Sequence, residues 1–326
     1  MKKVLRRIGK VAILVAVYLT VVSGSVSLAR GTQEGYKYLY APLGPSNKVA
    51  KINLKKEAVV GYFDVGINPH GVAVSPSGRY LYSGQMKKME KNRVLVTDIL
   101  KKKKIAEILV GKVSHHFAIS KDGRYLYVTT GRLVIIDTRT RKIVARVKTG
   151  MMAYYVSLGP EERYIYVTNK GSNTLSVLTF PLGKIVATIP TGLGPSHLAF
   201  SPDGRKLYIT EAAGGTVSVV DLKSRKLVAS IKVGNDPHAI AVTPAGTIFM
   251  SNLGDNSVYT INPSSLEVEK KIAIPGVTHI SVGPEGKKVY IGSRTEKAIY
   301  VLDASSGKIL KKIPVEGEPH QFVFSK

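Results

Sequence analysis

The chain has 326 residues, with 48 lysines and arginines against 22 acidic residues, and its formal net charge is +26. A hydrophobic content of 44% is enough for a large core and excludes general disorder. The absence of cysteine excludes disulfides, zinc–thiolate sites, iron–sulfur clusters and a cysteine nucleophile. The excess of positive charge predicts acidic surroundings.

The first 29 residues predict an export signal. Basic residues between Lys2 and Lys10 precede an apolar and hydroxyl run from Val11 to Val22, and Ser27–Ala29 fits a small-x-small cleavage site. This run is shorter than the roughly 20 apolar residues of a membrane span. We therefore favour a signal peptide over a signal anchor, and we expect an extracytoplasmic protein that is secreted, periplasmic or anchored outside.

One phrase recurs through the rest of the chain with a period of about 42 residues. It reads SPSGRYLY at 75–82 and returns at 120–127, 159–166, 201–208, 243–250 and 283–290, with a last start at Ser325. Its Pro/Asp/Gly group predicts a hairpin turn between two short strands, and a further pair of strands completes each unit. In the third repeat, Glu162 occupies the glycine position and Thr179 replaces the usual Asp of the later turn, so we expect strain or a changed turn there.

Four short strands per unit predict an all-β, seven-bladed β-propeller that occupies residues 30–326 as one domain. The last repeat ends after one strand, residues 320–325, whereas residues 36–41, 47–53 and 58–65 supply three strands without an innermost partner. We expect the C-terminal strand to join these three N-terminal strands. Such closure of the ring removes the open sheet edges that would invite aggregation.

The strands after the turn carry a recognisable signature. Tyr127-Val-Thr, Tyr166-Val-Thr-Asn and Tyr208-Ile-Thr resemble YVTN-family propeller repeats, and the resemblance covers residues 36–326. Proteins of this wider group include surface-layer proteins, lactonases and the haem domain of cytochrome-type nitrite reductases. The resemblance therefore implies the fold and leaves the function to be argued from a site.

Every histidine in the chain lies just before a repeat phrase, where successive blades of a propeller meet at one mouth of the central channel. Imidazole is a common ligand of copper, zinc and haem iron, so these residues are the candidate metal ligands. The histidines occupy two positions relative to the phrase. Five residues before a phrase start lie His70, His115, His238 and His320, and four residues before lie His116, His197 and His279. Because neighbouring strand residues point to opposite faces, these two positions predict that four imidazole rings point one way and three the other.

The third repeat has Tyr154 and Tyr155 in place of histidine. A seven-bladed ring of histidines with the adjacent pair His115–His116 is similar to the copper-cluster domain of nitrous oxide reductase. This chain lacks the cysteine-rich second domain of that enzyme. The candidate cofactors are copper, another transition metal or haem. The default alternative is that the protein has no cofactor and that the histidines form hydrogen bonds to the loop backbone between blades.

The turns on the opposite face are rich in positive charge. We expect this basic face to bind an acidic envelope component or a protein partner, with membrane association only through it or the N-terminal segment. The export signal and the scarcity of interleaved aromatic residues argue against nucleic acid. The basic face comprises Lys101, Lys102, Lys103, Lys104, Arg139, Arg141, Lys142, Lys223, Arg225 and Lys226.

No catalytic motif stands out, since acidic residues are scarce on the histidine face and none has a spacing that demands acid–base work. The acids there are Glu90, Glu211, Asp236, Asp255 and Glu296, and we interpret Asp236 beside His238 as a turn. The leading interpretation is a non-catalytic binding or scaffold module at the cell envelope. The alternatives are a metal- or haem-binding redox protein that uses the histidines, and a lactonase-type hydrolase.

Overall fold

The computed structural model describes residues 35–86 and 92–326, and the compact body runs from Gly35 to Lys326. The predicted signal segment, residues 1–29, lies outside the described residues. Within them the chain forms seven four-stranded antiparallel sheets, numbered here as blades 1 to 7 in the order of the repeat phrases. The described part contains no helix long and apolar enough to cross a membrane.

The strands follow one another along the chain in simple meanders. The first three are β1 (Tyr38–Leu43), β2 (Lys48–Asn53) and β3 (Ala58–Asp64), with a 3-10 helix at Gly44–Ser46. Blade 1 contains β4 (Val72–Val74), β5 (Tyr80–Ser83), β6 (Asn92–Asp98) and β7 (Lys103–Gly111). Blade 2 contains β8 (Phe117–Ile119), β9 (Tyr125–Thr129), β10 (Leu133–Asp137) and β11 (Lys142–Val147). Blade 3 contains β12 (Ala153–Leu158), β13 (Tyr164–Asn169), β14 (Thr174–Thr179) and β15 (Ile185–Pro190).

The remaining blades repeat this order. Blade 4 contains β16 (Pro195–Phe200), β17 (Lys206–Glu211), β18 (Thr216–Asp221) and β19 (Lys226–Lys232). Blade 5 contains β20 (Pro237–Val242), β21 (Ile248–Asn252), β22 (Ser257–Ile261) and β23 (Val268–Ala273). Blade 6 contains β24 (Val277–Val282), β25 (Lys288–Ser293), β26 (Ala298–Asp303) and β27 (Ile309–Pro314). The last strand is β28 (Val323–Ser325).

Blade 7 closes the ring as the repeat pattern predicts. Its strand order is β28-β1-β2-β3, and β28 pairs with β1 from Tyr38↔Ser325 to Tyr40↔Val323. The Gln321 side chain extends the closure to neighbouring blades, since its Nε2 donates to the Phe117 carbonyl at 3.2 Å and its Oε1 accepts from the Val72 amide at 3.2 Å. The predicted seven-bladed fold is therefore confirmed.

The core lies between blades rather than at a single centre. Seven buried apolar clusters each join residues of two neighbouring blades. The middle strands are accordingly buried on both faces, as in β13, where only Tyr164 is partly exposed. The outermost strands expose most of their side chains, as β23 does. Packing against both neighbours makes the stability of every blade depend on ring closure.

The unusual turn of blade 3 is accommodated by the backbone of one residue. Gly204 in the equivalent turn of blade 4 has a φ of +67°, and Glu162 adopts a φ of +53°. Both turns keep the same hydrogen bond, from the Glu162 amide to the Gly159 carbonyl and from the Gly204 amide to the Ser201 carbonyl. The expected strain therefore resides in Glu162, because left-handed backbone is unfavourable for residues with a Cβ. The later turn of this blade differs from the others by a cis Phe180–Pro181 bond.

The closing strand can be tested by a core truncation. Phe322 is 6% exposed in the cluster between blades 6 and 7, so Phe322→Ala should lower the free energy of unfolding by about 3 kcal/mol. Leu310→Ala, at a half-exposed position of the outer strand β27, should change it by less than about 0.5 kcal/mol. Urea unfolding measures both values, and equal effects of the two substitutions would contradict the closure.

Candidate functional site

The histidines sit where each crossing from the preceding blade enters an innermost strand, and the strand starts there are irregular. The pairing register shifts between Pro195 and Leu198 in β16, between Pro237 and Ile240 in β20, and between Val277 and Ile280 in β24. Each shift spans a histidine. A β-bulge re-aims side chains that strict alternation would send to opposite faces. The predicted split of four rings against three is therefore wrong, because His197 and His279 contact histidines of the other register.

Seven aromatic side chains, one from each blade crossing, form a closed circuit that we call the axial ring. Around the axis the ring centroids follow one another at separations of 3.7 to 6.0 Å. Members that are not adjacent in the ring also approach each other: the centroid of the His279 imidazole lies 5.1 Å from that of His70 and 4.9 Å from that of His197. In order, the members are His70, His115, Tyr154, His197, His238, His279 and His320.

His116 lies outside the axial ring. Its imidazole stacks on Tyr155 at 3.5 Å between centroids, and Tyr155 in turn contacts His197 at 4.6 Å. Its Nδ1 donates to the Val156 carbonyl at 3.0 Å. Blade 3 thus supplies two tyrosines that pack against the adjacent pair His115–His116, and the tyrosines take the places of the missing histidines.

Two groups of three imidazoles bring ligand atoms close together. The nitrogens of His70, His279 and His320 all lie within 4.8 Å of one another, and so do those of His197, His238 and His279. His279 belongs to both groups. The structure therefore brings five of the seven predicted ligands into two overlapping three-histidine groups and leaves His115 and His116 outside them.

Burial keeps the imidazoles uncharged. Desolvation lowers the pKa of His70 to about 4 and the pKa values of His116 and His238 to about 3. Burial also lowers the pKa of His320 to about 2, and it holds those of His115, His197 and His279 well below the usual range, with the neighbouring rings adding to the effect. A neutral imidazole keeps a lone pair for a proton or a metal ion.

Two cations flank the axial ring, and neither was among the site residues predicted from the sequence. Lys170 follows β13, and its Nζ lies 4.7 Å from the Tyr154 ring centroid. Arg294 follows β25 and is exposed. After burial and His70, their charges further lower the pKa of His238. Both residues occupy the loop between the second and third strands of a blade. This loop position was the sequence feature that could have identified them.

The acids of this face serve other contacts. Glu211 is fully buried and accepts hydrogen bonds from the Gly192 amide and from the hydroxyls of Thr216 and Ser218. Asp255 pairs with Lys271 at 2.7 Å, and Glu296 pairs with Lys312. Asp236 is an exposed left-handed turn residue with a φ of +56°, and its backbone carbonyl accepts from the Leu253 amide. Glu90 lies outside the described residues.

The predicted basic residues lie in the turns between third and fourth strands and in the first residues of the fourth strands. Ion pairs of 3.3 Å between Arg79 and Asp98 and 3.5 Å between Arg124 and Asp137 place these turns beside those of the repeat phrase. Nine of the ten side chains are exposed, and Arg225 is partly buried because it bonds the Tyr164 hydroxyl at 3.2 Å. The exposed residues are Lys101, Lys102, Lys103, Lys104, Arg139, Arg141, Lys142, Lys223 and Lys226.

Comparison with known proteins gives a family match and several structural neighbours. The family model "Lactonase, 7-bladed beta-propeller" matches residues 60–326. No curated protein matches the sequence. The YVTN character of the repeats stays a resemblance of the phrases, while the matched family is the lactonase one.

The structural neighbours share the fold at low sequence identity. The periplasmic gluconolactonase of Pseudomonas aeruginosa has a TM-score of 0.73 and 19% identity, over 89% of this chain and 99% of that one. Hydrazine synthase of Kuenenia stuttgartiensis has a TM-score of 0.70 and 17% identity, over 86% and 99%. A dihydro-haem d1 dehydrogenase has a TM-score of 0.66 and 18% identity, over 88% and 75%. At sequence identities this low, the similarity shows a common fold and nothing further.

The neutral histidines predict a steep acid dependence of stability. The unfolded chain protonates its imidazoles near pH 6.5, whereas the folded chain holds His70 neutral to about 4 and His238 to about 3. The unfolded state therefore binds more protons below pH 6.5, and stability is lost as the pH falls toward 4. Each ring contributes a slope of up to about 1.4 kcal/mol per pH unit.

Urea unfolding of metal-free protein between pH 4.5 and 7.5 measures this slope. His116→Phe should reduce the slope of the free energy of unfolding against pH by the contribution of one imidazole, because the pKa of His116 is lowered to about 3. A free energy of unfolding that stays constant from pH 5 to 7 would contradict neutral buried imidazoles.

Proposed function

Because this chain belongs to the lactonase family of seven-bladed β-propellers, we propose that it hydrolyses lactones at the outer surface of the axial ring. The family match over residues 60–326 is the observation that carries the reaction class. It favours the hydrolase alternative over the non-catalytic scaffold interpretation. The position of the site rests on the axial ring and its two flanking cations.

The chemistry required is modest. Water attacks the lactone carbonyl carbon and forms a tetrahedral oxyanion, and the ring carbon–oxygen bond then breaks to leave a hydroxy acid as its carboxylate. Negative charge thus develops on the carbonyl oxygen and persists in the product. Groups that hold positive charge beside that oxygen stabilise the transition state.

Lys170 and Arg294 supply this charge. Both act electrostatically on His238, and Arg294 also acts on His320, so they lie near the two partly exposed histidines of the axial ring. Glu211, Asp255 and Glu296 are engaged in other contacts, and the exposed Asp236 acts electrostatically on Tyr154. A lactone with a further anionic substituent would also be attracted by the strongly positive chain.

His238 and His320 are proposed to position the attacking water. Their imidazoles are uncharged in neutral solution because burial lowers the pKa values to about 3 and about 2. A neutral ring nitrogen accepts a hydrogen bond from water and orients its lone pair toward the carbonyl. Such weakly basic rings contribute little proton abstraction, so the rate enhancement depends mainly on orientation and on the cations.

The proposed location is outside the cytoplasm. The basic residues from Lys2 to Lys10, the apolar run to Val22 and the small residues at 27–29 support export. A chain without cysteine forms no disulfides in any compartment, so its folding is compatible with export.

A proton-release assay with glucono-δ-lactone tests the proposal. The full-length protein should hydrolyse this lactone faster than buffer, and His238→Ala should abolish the excess rate. Arg294→Gln and Lys170→Met should each lower kcat/KM by about 100-fold, since each removes one stabilising charge from the oxyanion.

Lys223→Gln is the matched control, because it removes a cation of the opposite face and should leave kcat/KM unchanged. Hydrolysis no faster than in buffer across γ- and δ-lactones would contradict the proposal. Equal losses for Lys223→Gln and Arg294→Gln would show that net charge, rather than the channel mouth, governs the rate.

A further inference from the structure

We propose that the axial ring binds copper, with His279 as the ligand common to two three-histidine groups. One group comprises His70, His279 and His320, and the other comprises His197, His238 and His279, with ligand atoms within 4.8 Å in each. Metal–imidazole bonds of about 2 Å require nitrogens roughly 3.3 to 4 Å apart, so side-chain adjustments of about 1 Å complete either group.

The unpartnered ring nitrogens are the independent observation. Within the described residues, both nitrogens of His197 and the Nε2 of His279 are buried without a hydrogen-bond partner. Buried polar atoms are nearly always bonded, and each exception calls for a cause. His197 belongs to one group and His279 to both, so each group contains a buried ring nitrogen that a metal ion would partner. His115 Nδ1 and His116 Nε2, which lie outside the groups, are also unpartnered.

A backbone contact orients one of the ligands. The Nδ1 of His70 lies 3.1 Å from the His115 carbonyl oxygen, which can only accept a hydrogen bond. Nδ1 therefore carries the proton, and Nε2 keeps its lone pair for the ring. A carbonyl bonded to the second nitrogen is the usual way in which a metal-ligating histidine is held.

The donor set selects the metal. The ligand atoms of both groups are imidazole nitrogens without a carboxylate among them, so calcium and magnesium lack their oxygen ligands there. Imidazole suits late first-row metals, and among their divalent ions copper binds most tightly. The cross-ring contacts of 4.9 and 5.1 Å between imidazoles favour single ions over a macrocycle such as haem.

The surrounding charge favours the monovalent ion. Neutral ligands cannot offset the charge of a buried metal, and Lys170 and Arg294 add positive charge nearby. Burial of an uncompensated charge is costly, and the cost rises with its size. Cu(I) therefore suits this site better than a divalent ion, and it tolerates the low coordination number that three imidazoles provide.

A chelator competition tests copper binding without any lactone, so its outcome is independent of the hydrolase proposal. Untagged full-length protein is titrated anaerobically with Cu(I) in the presence of a coloured Cu(I) chelator. Wild-type protein should withdraw copper from the chelator, and His279→Phe should weaken binding by at least about 100-fold. His238→Phe and His320→Phe each leave one group whole and should have smaller effects.

His116→Phe is the matched control, because this buried histidine lies outside both groups and its loss should leave the affinity unchanged. Circular dichroism of each variant verifies folding, and the Cu(II) form of the wild type should show nitrogen hyperfine splitting in its electron paramagnetic resonance spectrum. Three outcomes would overturn the proposal: no copper withdrawn from the chelator, equal affinities for wild type and His279→Phe, or zinc bound more tightly than copper.

Discussion

Closure of the ring is the constraint on which the rest of the structure depends. Seven blades can bury their apolar faces only against one another, and the three residue pairs between β28 and β1 complete the circle. The same closure brings the segment before β28 beside the segment before β4, which places His320 4.6 Å from His70. One set of backbone hydrogen bonds therefore completes both the core and the axial ring.

The residues of the repeated turn made it possible to predict the fold from the sequence. The Pro/Asp/Gly phrase reports on backbone conformations that few other residues adopt, so its recurrence counted the blades and located the closing strand. The predicted ends of the N-terminal strands differ from the observed ones by one or two residues, as at Tyr36 against Tyr38. Such errors are small because hydrogen-bond pairing, rather than composition, decides where a strand ends.

The site was less predictable because it depends on local departures from regular pairing. Simple alternation would separate His238 from His279, yet the bulges at the starts of β20 and β24 bring their rings to 5.0 Å. Lys170 and Arg294 were missed for a related reason. Their loops have no repeated phrase, so only their position between the second and third strands of a blade pointed to the histidine face.

The chain combines a strongly positive overall charge with a cluster of uncharged imidazoles at its axis. Burial keeps these imidazoles neutral. Neutral imidazoles are weak bases but good ligands, and this difference links the two proposals. The flanking cations suit an oxyanion outside the axial ring, whereas the free lone pairs suit a soft cation within it.

The most direct test of this account is a crystal structure of the copper-loaded protein, with anomalous diffraction recorded at the copper absorption edge. The account predicts an anomalous peak on the propeller axis, about 2 Å from a ring nitrogen of His279 and bound by imidazoles of at least two other blades. Imidazoles that do not meet at the axis, or anomalous peaks confined to the protein surface, would contradict it.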